Sequence, residues 1–164
     1  MGRPWRERMR YVVVEQRDRG VFWHDPSAYL AALPHIAEDL PAGARAHASD
    51  PGHYDFYAER CVKDLKLTAL PPTSPTPSAF DLRLLCCRGE DEHGLTLRYS
   101  GVTEASVAAD DGGPFELTDF NSLRLDEVLP HEQGCSHELR FTLGTLHIVC
   151  ADFEAIWDPA PLPR

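Results

Sequence analysis

The sequence predicts an α+β domain: an N-terminal helical element followed by an antiparallel β-meander that forms a sandwich or a strongly curled sheet. Three observations lead there. Leu30, Leu33, Ile36, Ala37 and Leu40 recur at helical spacing. From Phe80 onward apolar residues occupy every second position. Turn signals rich in Gly and Asp separate those alternating runs. A chain of 164 residues is expected to form one domain, 1–164, with 1–60 as the helical and loop part and 61–158 as the sheet.

The elements follow in order. "RYVVVEQ" (Arg10 to Gln16) reads as a short first strand because valine is β-branched. Asp25 is a plausible helix cap and Pro26 suits the first helical position. Pro34 should divide the helix into two short pieces, and Pro41 with Gly43 should end it. Asp50-Pro51-Gly52 marks a turn, after which Tyr54, Phe56 and Tyr57 lay the loop on the core. "CVKDLKLTAL" alternates as a strand would, and "PPTSPTPS" is a Pro/Ser/Thr loop. Seven strands are then expected, in "FDLRLLCC", "LTLRYSGV", "EASVAAD", "SLRLDEVL", "HELRFTL", "TLHIVCA" and "FEAIW". In the fourth of these, Leu123 and Leu125 are apolar against Arg124 and Asp126.

One register follows from turn chemistry. Gly144-Thr145 suits the centre of a type II′ hairpin. Leu143 then faces Leu146, Phe141 faces Ile148, Leu139 faces Cys150, and His137 faces Asp152. This register keeps one face apolar throughout.

Composition bounds the function. No run reaches the roughly 18 apolar residues of a membrane-spanning helix. "YVVV" is too short for the apolar region of a signal peptide, so a cytoplasmic protein is expected. Cys61, Cys86, Cys87, Cys135 and Cys150 are odd in number and form no CxxC pair, which favours reduced thiols. Residues 1–80 carry 10 basic and 10 acidic side chains, whereas residues 81–164 carry 6 and 16. The net charge of −10 therefore lies in the second half. That disfavours nucleic acid as a partner, because phosphates are repelled, and suits a basic protein. The plainer reading of the acidic charge is solubility.

The densest group of chemistry-bearing residues is "LPHEQGCSHE" (Leu129 to Glu138), a loop at one end of the sheet. His131, Glu132, Cys135 and His137, with Asp152 opposite His137, are candidate metal ligands of zinc-binding type. Their spacing matches none of the strong zinc signatures. In the enzyme reading a bound zinc activates water and Glu132 is the base. The plainer reading is a rim histidine paired with a carboxylate. His24, His35, His47, His53 and His93 are scattered and carry no family spacing. No GxSxG, GxGxxG, P-loop or HExxH motif is present, and no catalytic residue or cofactor is assigned. The acidic turns Glu90, Asp91, Glu92, Asp110 and Asp111, with Glu116 and Asp119, are candidate contacts for a basic partner. A third reading is a structural or small-ligand module with Tyr54, Phe56, Tyr57 and Trp157 lining a pocket.

Phe80 to Trp157, with phrases such as "LRYSGVTEASV", "NSLRLDEVL" and "GTLHIVCADFEAIW", resembles the small β-rich immunity proteins of bacterial polymorphic toxin systems. "WHDPSAYLAALPHIAEDLPAG" is similar to actinobacterial proteins of no assigned activity. The resemblance implies a non-enzymatic cytoplasmic binding protein, a stoichiometric inhibitor of a basic toxin. The longer N-terminal part departs from that pattern.

Overall fold

The computed structural model describes residues 9–18, 21–86, 93–114, 116–120 and 122–159. It is mostly antiparallel β structure, with open sheets and two helices near the N-terminus. Strands β1 (Val13–Asp18) and β2 (Val21–Asp25) form a separate hairpin. Helix α1 (Ser27–Glu38) and helix α2 (Ala42–Ala48) follow.

Helix α1 starts one residue later than expected, with Pro26 as its cap and Ser27 as its first residue, and the Asp25 carboxylate accepts the Ser27 N–H at 2.9 Å just before it. The expected break at Pro34 does not occur, and α1 runs through it. Pro34 is exposed, as is Leu30, whose carbonyl loses its helical donor. The break comes instead at Asp39–Pro41. Arg45 closes it by donating to the carbonyls of Ala37 (2.8 Å) and Leu40 (2.9 Å). Helix α2 was not expected, because "AGARAHA" carries no bulky apolar stripe.

The "CVKDLKLTAL" run yields only β3 (Lys66–Leu67). Asp64 at φ 75° interrupts its alternation. All seven later strands form: β4 (Ala79–Cys86), β5 (His93–Ser100), β6 (Glu104–Ala109), β7 (Leu123–His131), β8 (Gly134–Phe141), β9 (Gly144–Cys150) and β10 (Asp152–Trp157). A four-residue helix, α3 (Leu117–Phe120), precedes β7.

Their order is not a simple meander. One sheet runs β10-β5-β4-β3 and the other β6-β9-β8-β7. The chain changes sheet twice at one corner, after β5 and after β9. Gly101 (φ 60°) makes the first bend, and a Cβ there would lie 2.5 Å from the Ala151 Cβ of the second. The Ala151 N–H donates to the carbonyls of Ser100 and Gly101, which ties the two crossings together. Leu84, Leu97, Leu139, Phe141 and Ile148, drawn from both sheets, share one buried cluster with Tyr29 of α1.

The β8–β9 register differs from the expected one. Leu139 pairs with Leu146, His137 with Ile148 and Cys135 with Cys150. The turn is therefore Thr142-Leu143, and the partner of each β8 residue moves by four positions. An even shift keeps each residue on its face, so the apolar row survives, while Leu143 becomes 46% exposed. Gly144 does not make the turn. It gives room to Phe120, whose ring would lie 2.7 Å from an added Cβ.

Candidate functional site

The site begins with a bulge. On β7, Leu123 pairs with Phe141, yet Leu125 pairs with Arg140 and Asp126 with Leu139. One extra residue at Arg124 reverses the alternation that follows. Asp126 and Val128 thereby join the inward row of Leu139 and His137, while Leu125 and Glu127 turn to the opposite face. There Glu127 accepts the backbone N–H groups of Arg10, Tyr11 and Val12, each at 2.8 Å, and holds the N-terminal segment against the sheet.

Three histidines meet the inward carboxylate. His47 lies on α2, on the face that also carries Ala44 and Ala48. His53 follows the Asp50-Pro51-Gly52 turn, which the Asp50 carboxylate closes on the Gly52 N–H at 2.8 Å. His137 comes from β8. The His53 Nε2 is 2.5 Å from Asp126 Oδ1. The Nε2 atoms of His47 and His137 lie 3.0 and 2.7 Å from Oδ2. The donor atoms of His47, His53 and Asp126 all fall within 4.8 Å of one another. His47 is 5% exposed, His53 and Asp126 are 1% exposed and His137 is 0% exposed.

The far side of two rings is held as well. His53 Nδ1 donates to the His47 carbonyl at 2.9 Å, since a carbonyl only accepts. His137 Nδ1 and the Tyr99 hydroxyl are 2.8 Å apart. Phe153 stacks on His137 (4.6 Å, 5°) and Tyr54 on His53 (4.1 Å, 12°). The Tyr54 hydroxyl donates to the Asp126 carbonyl at 2.7 Å.

The charges follow from this geometry. Burial pushes the Asp126 carboxyl up, but the His53 charge and the three imidazole contacts outweigh it and hold it well below the usual carboxylate range. Burial pulls His53 down, and Asp126 more than offsets this, so His53 is raised. His47 falls to about 4, through burial first and then through the charge on His53. The contact thus favours the charged forms of His53 and Asp126, while His47 beside them is held toward its neutral form. Burial also pushes the Tyr54 and Tyr99 hydroxyls well above the usual phenol range.

Of the four loop residues and Asp152 singled out in the sequence, only His137 bonds Asp126. His131 is the exposed last residue of β7, where its Nδ1 accepts the Gln133 N–H of the turn at 3.1 Å, and Glu132 in that turn is exposed. Cys135 faces Cys150, with the sulfurs 3.6 Å apart. Asp152 does not meet His137. It accepts the Gly43 and Ala44 N–H groups at 3.0 and 2.9 Å and caps α2.

Among the acidic candidates, Glu90, Asp91 and Glu92 lie outside the described residues, as does the Asp119 side chain. Asp110 forms a two-pronged pair with Arg140 at 2.5 and 2.7 Å. Asp111 is exposed and closes its turn on the Gly113 N–H; Glu116 is exposed. The four aromatics proposed to line a pocket do not gather. Tyr54 is buried beside His53, Tyr57 is 99% exposed, and Trp157 stacks on His93.

His47, His53 and Asp126 were missed. The signal available was two histidines six residues apart around a tight turn. It was obscured by the unexpected helix on one side and the bulge on the other. No protein-family model, curated protein or solved structure matches this chain.

Proposed function

We propose that this chain is a divalent-metal protein with a buried centre of His47, His53 and Asp126, in which His137 orients the carboxylate, and that it acts outward by binding rather than by chemistry. One observation carries the reading. The ligand atoms of His47, His53 and Asp126 lie within 4.8 Å of one another, His137 bonds the same carboxylate, and the far nitrogens of His53 and His137 are engaged by the His47 carbonyl and the Tyr99 hydroxyl. Metal-ligating histidines are usually oriented in this way by partners on their other nitrogen. Two imidazole nitrogens and a carboxylate oxygen suit zinc or a neighbouring transition ion better than magnesium or calcium. Catalytic centres keep a coordination position open to substrate, whereas these donors are 1–5% exposed. The ion is therefore assigned a structural role.

The outward role is binding through a sandwich-like scaffold of the two sheets, with a basic protein as partner, as in an immunity-type inhibitor. The concentration of acidic residues in 81–164 supports this, with Asp111 and Glu116 as exposed contacts. Asp110 is a weaker contact because Arg140 already neutralises it.

Elemental analysis of protein purified without chelator or histidine tag tests the metal reading. About one equivalent is expected, lost in His53→Gln and Asp126→Asn and retained in His131→Gln and Cys135→Ser. Retention in the first pair would place the ion elsewhere.

A further inference from the structure

We infer that the ion is a latch: it docks the segment 41–56, made of α2 and the turn after it, onto the sheet that carries Asp126 and His137. The inference rests on the metal reading above and goes beyond it by naming the part of the fold that depends on the metal.

The two sides of the centre are unequal. Asp126 and His137 sit on adjacent strands, β7 and β8, held by a continuous antiparallel ladder. His47 and His53 sit on a segment that buries little aliphatic surface. Helix α2 has seven residues, well short of the roughly 12–15 at which isolated helices become even marginal in water. Its sequence, AGARAHA, buries Ala44, His47 and Ala48 and no larger aliphatic side chain. The turn after it buries His53 and Tyr54. Two alanine methyls are a small apolar payload. The three rings are polar and gain from burial only while their nitrogens and hydroxyl are partnered. The partners across to the sheet are Asp126 and its backbone carbonyl, for His47 Nε2, His53 Nε2 and the Tyr54 hydroxyl, while His53 Nδ1 bonds the His47 carbonyl within the segment. Besides these, the segment has the Asp152 cap on the Gly43 and Ala44 N–H groups, the Arg45 bonds to the Ala37 and Leu40 carbonyls, and edge contacts of Tyr54 with Tyr29 and of His47 with Phe153.

An ion bound by His47 and His53 on the segment and by Asp126 on the sheet therefore cross-links the two. Without it the segment opens as a local unit while the sheets persist. Opening uncovers Phe153, whose ring is 2% exposed, lies edge-on to His47 and stacks on His137. By linkage, whatever weakens docking of the segment weakens metal binding by the same factor.

The test is amide hydrogen exchange on the full chain, chelator-treated and then loaded with Zn2+ alone, with metal content measured in parallel. Exchange across residues 43–54 is expected to slow at least tenfold on loading, and β8 and β9 less than threefold. If one equivalent binds but protection rises equally across the sheets, or nowhere, the latch is wrong and the metal site stands. If no ion binds, both fail. A second arm uses Gly43→Ala, which alters no ligand but sets a Cβ 2.1 Å from the Phe153 carbonyl oxygen under α2. Should that variant not fold, Ala44→Gly weakens α2 more gently. Either is expected to lower Zn2+ affinity at least tenfold, and unchanged affinity would overturn the latch.

Discussion

Asp126→Asn changes one oxygen to an NH2 group at the point where the centre is most tightly bonded. The carboxylate accepts from three imidazoles and carries the charge that holds the His53 proton. The amide offers one accepting oxygen, and its NH2 group is set against an imidazole N–H. At least one ring is left unpaired, at about 1–3 kcal/mol for a buried donor. His53 also loses its counter-ion. Breaking a buried pair from one side costs about 3–5 kcal/mol, and shedding the His53 proton keeps the total near that range. For a chain of this size the loss corresponds to roughly 6–20 °C in Tm. The assay is thermal or urea unfolding of chelator-treated protein, with Glu127→Gln as control. Glu127 is the next residue, faces the other way, and bonds the N–H groups of residues 10–12, so its variant should loosen the N-terminal segment and leave the histidines in place. A loss below about 1 kcal/mol in Asp126→Asn, less than one unpaired buried donor costs, would refute the bonding pattern described.

Gly43→Ala gains about 1 kcal/mol from helix propensity if α2 is free of its neighbours. The close approach to the Phe153 oxygen predicts the opposite sign, a loss of about 1–3 kcal/mol; equilibrium unfolding decides. His24 is lowered to about 4, by burial first and then by Lys63 and Arg124. Between pH 6.5 and 4 the unfolded chain therefore binds more protons than the folded one, and stability falls as pH falls. His24→Asn should flatten that decline in Tm, and identical slopes would remove His24 as a cause. Asp110→Asn breaks the two-pronged Arg140 pair, whose members are only 17% and 20% exposed, and should cost about 1–2 kcal/mol. If binding to a basic partner falls with no loss of stability, Asp110 is a contact and not a strut.

Much of the fold was legible because period-two alternation is a local signal. Each of the seven strands from β4 to β10 appears where Phe80–Trp157 alternates. Their pairing was less legible, because Gly101 and Ala151 send the chain to the other sheet, and no local pattern announces which strand lies there. Gly144 misled the register. A glycine serves a turn or a close contact equally well in sequence, and here it admits Phe120. The centre was hidden for a related reason. Arg124 adds one residue to β7, so Asp126, polar and apparently outward, turns into the core. His137 was found, but its partner Asp126 lies across the β7–β8 pair and not on β10. His47 rides on a helix of alanines whose burial depends on the polar groups it brings. Propensity and periodicity carry no information about that.

The most direct test of the central claim is the metal content of the native chain, set against its variants. The account predicts about one equivalent of a zinc-type ion, with Asp126→Asn and His53→Gln abolishing it and His131→Gln leaving it intact. No bound ion in protein never exposed to chelator, and none taken up from excess Zn2+, would contradict it. The three histidines and Asp126 would then be a buried hydrogen-bonded network and nothing more.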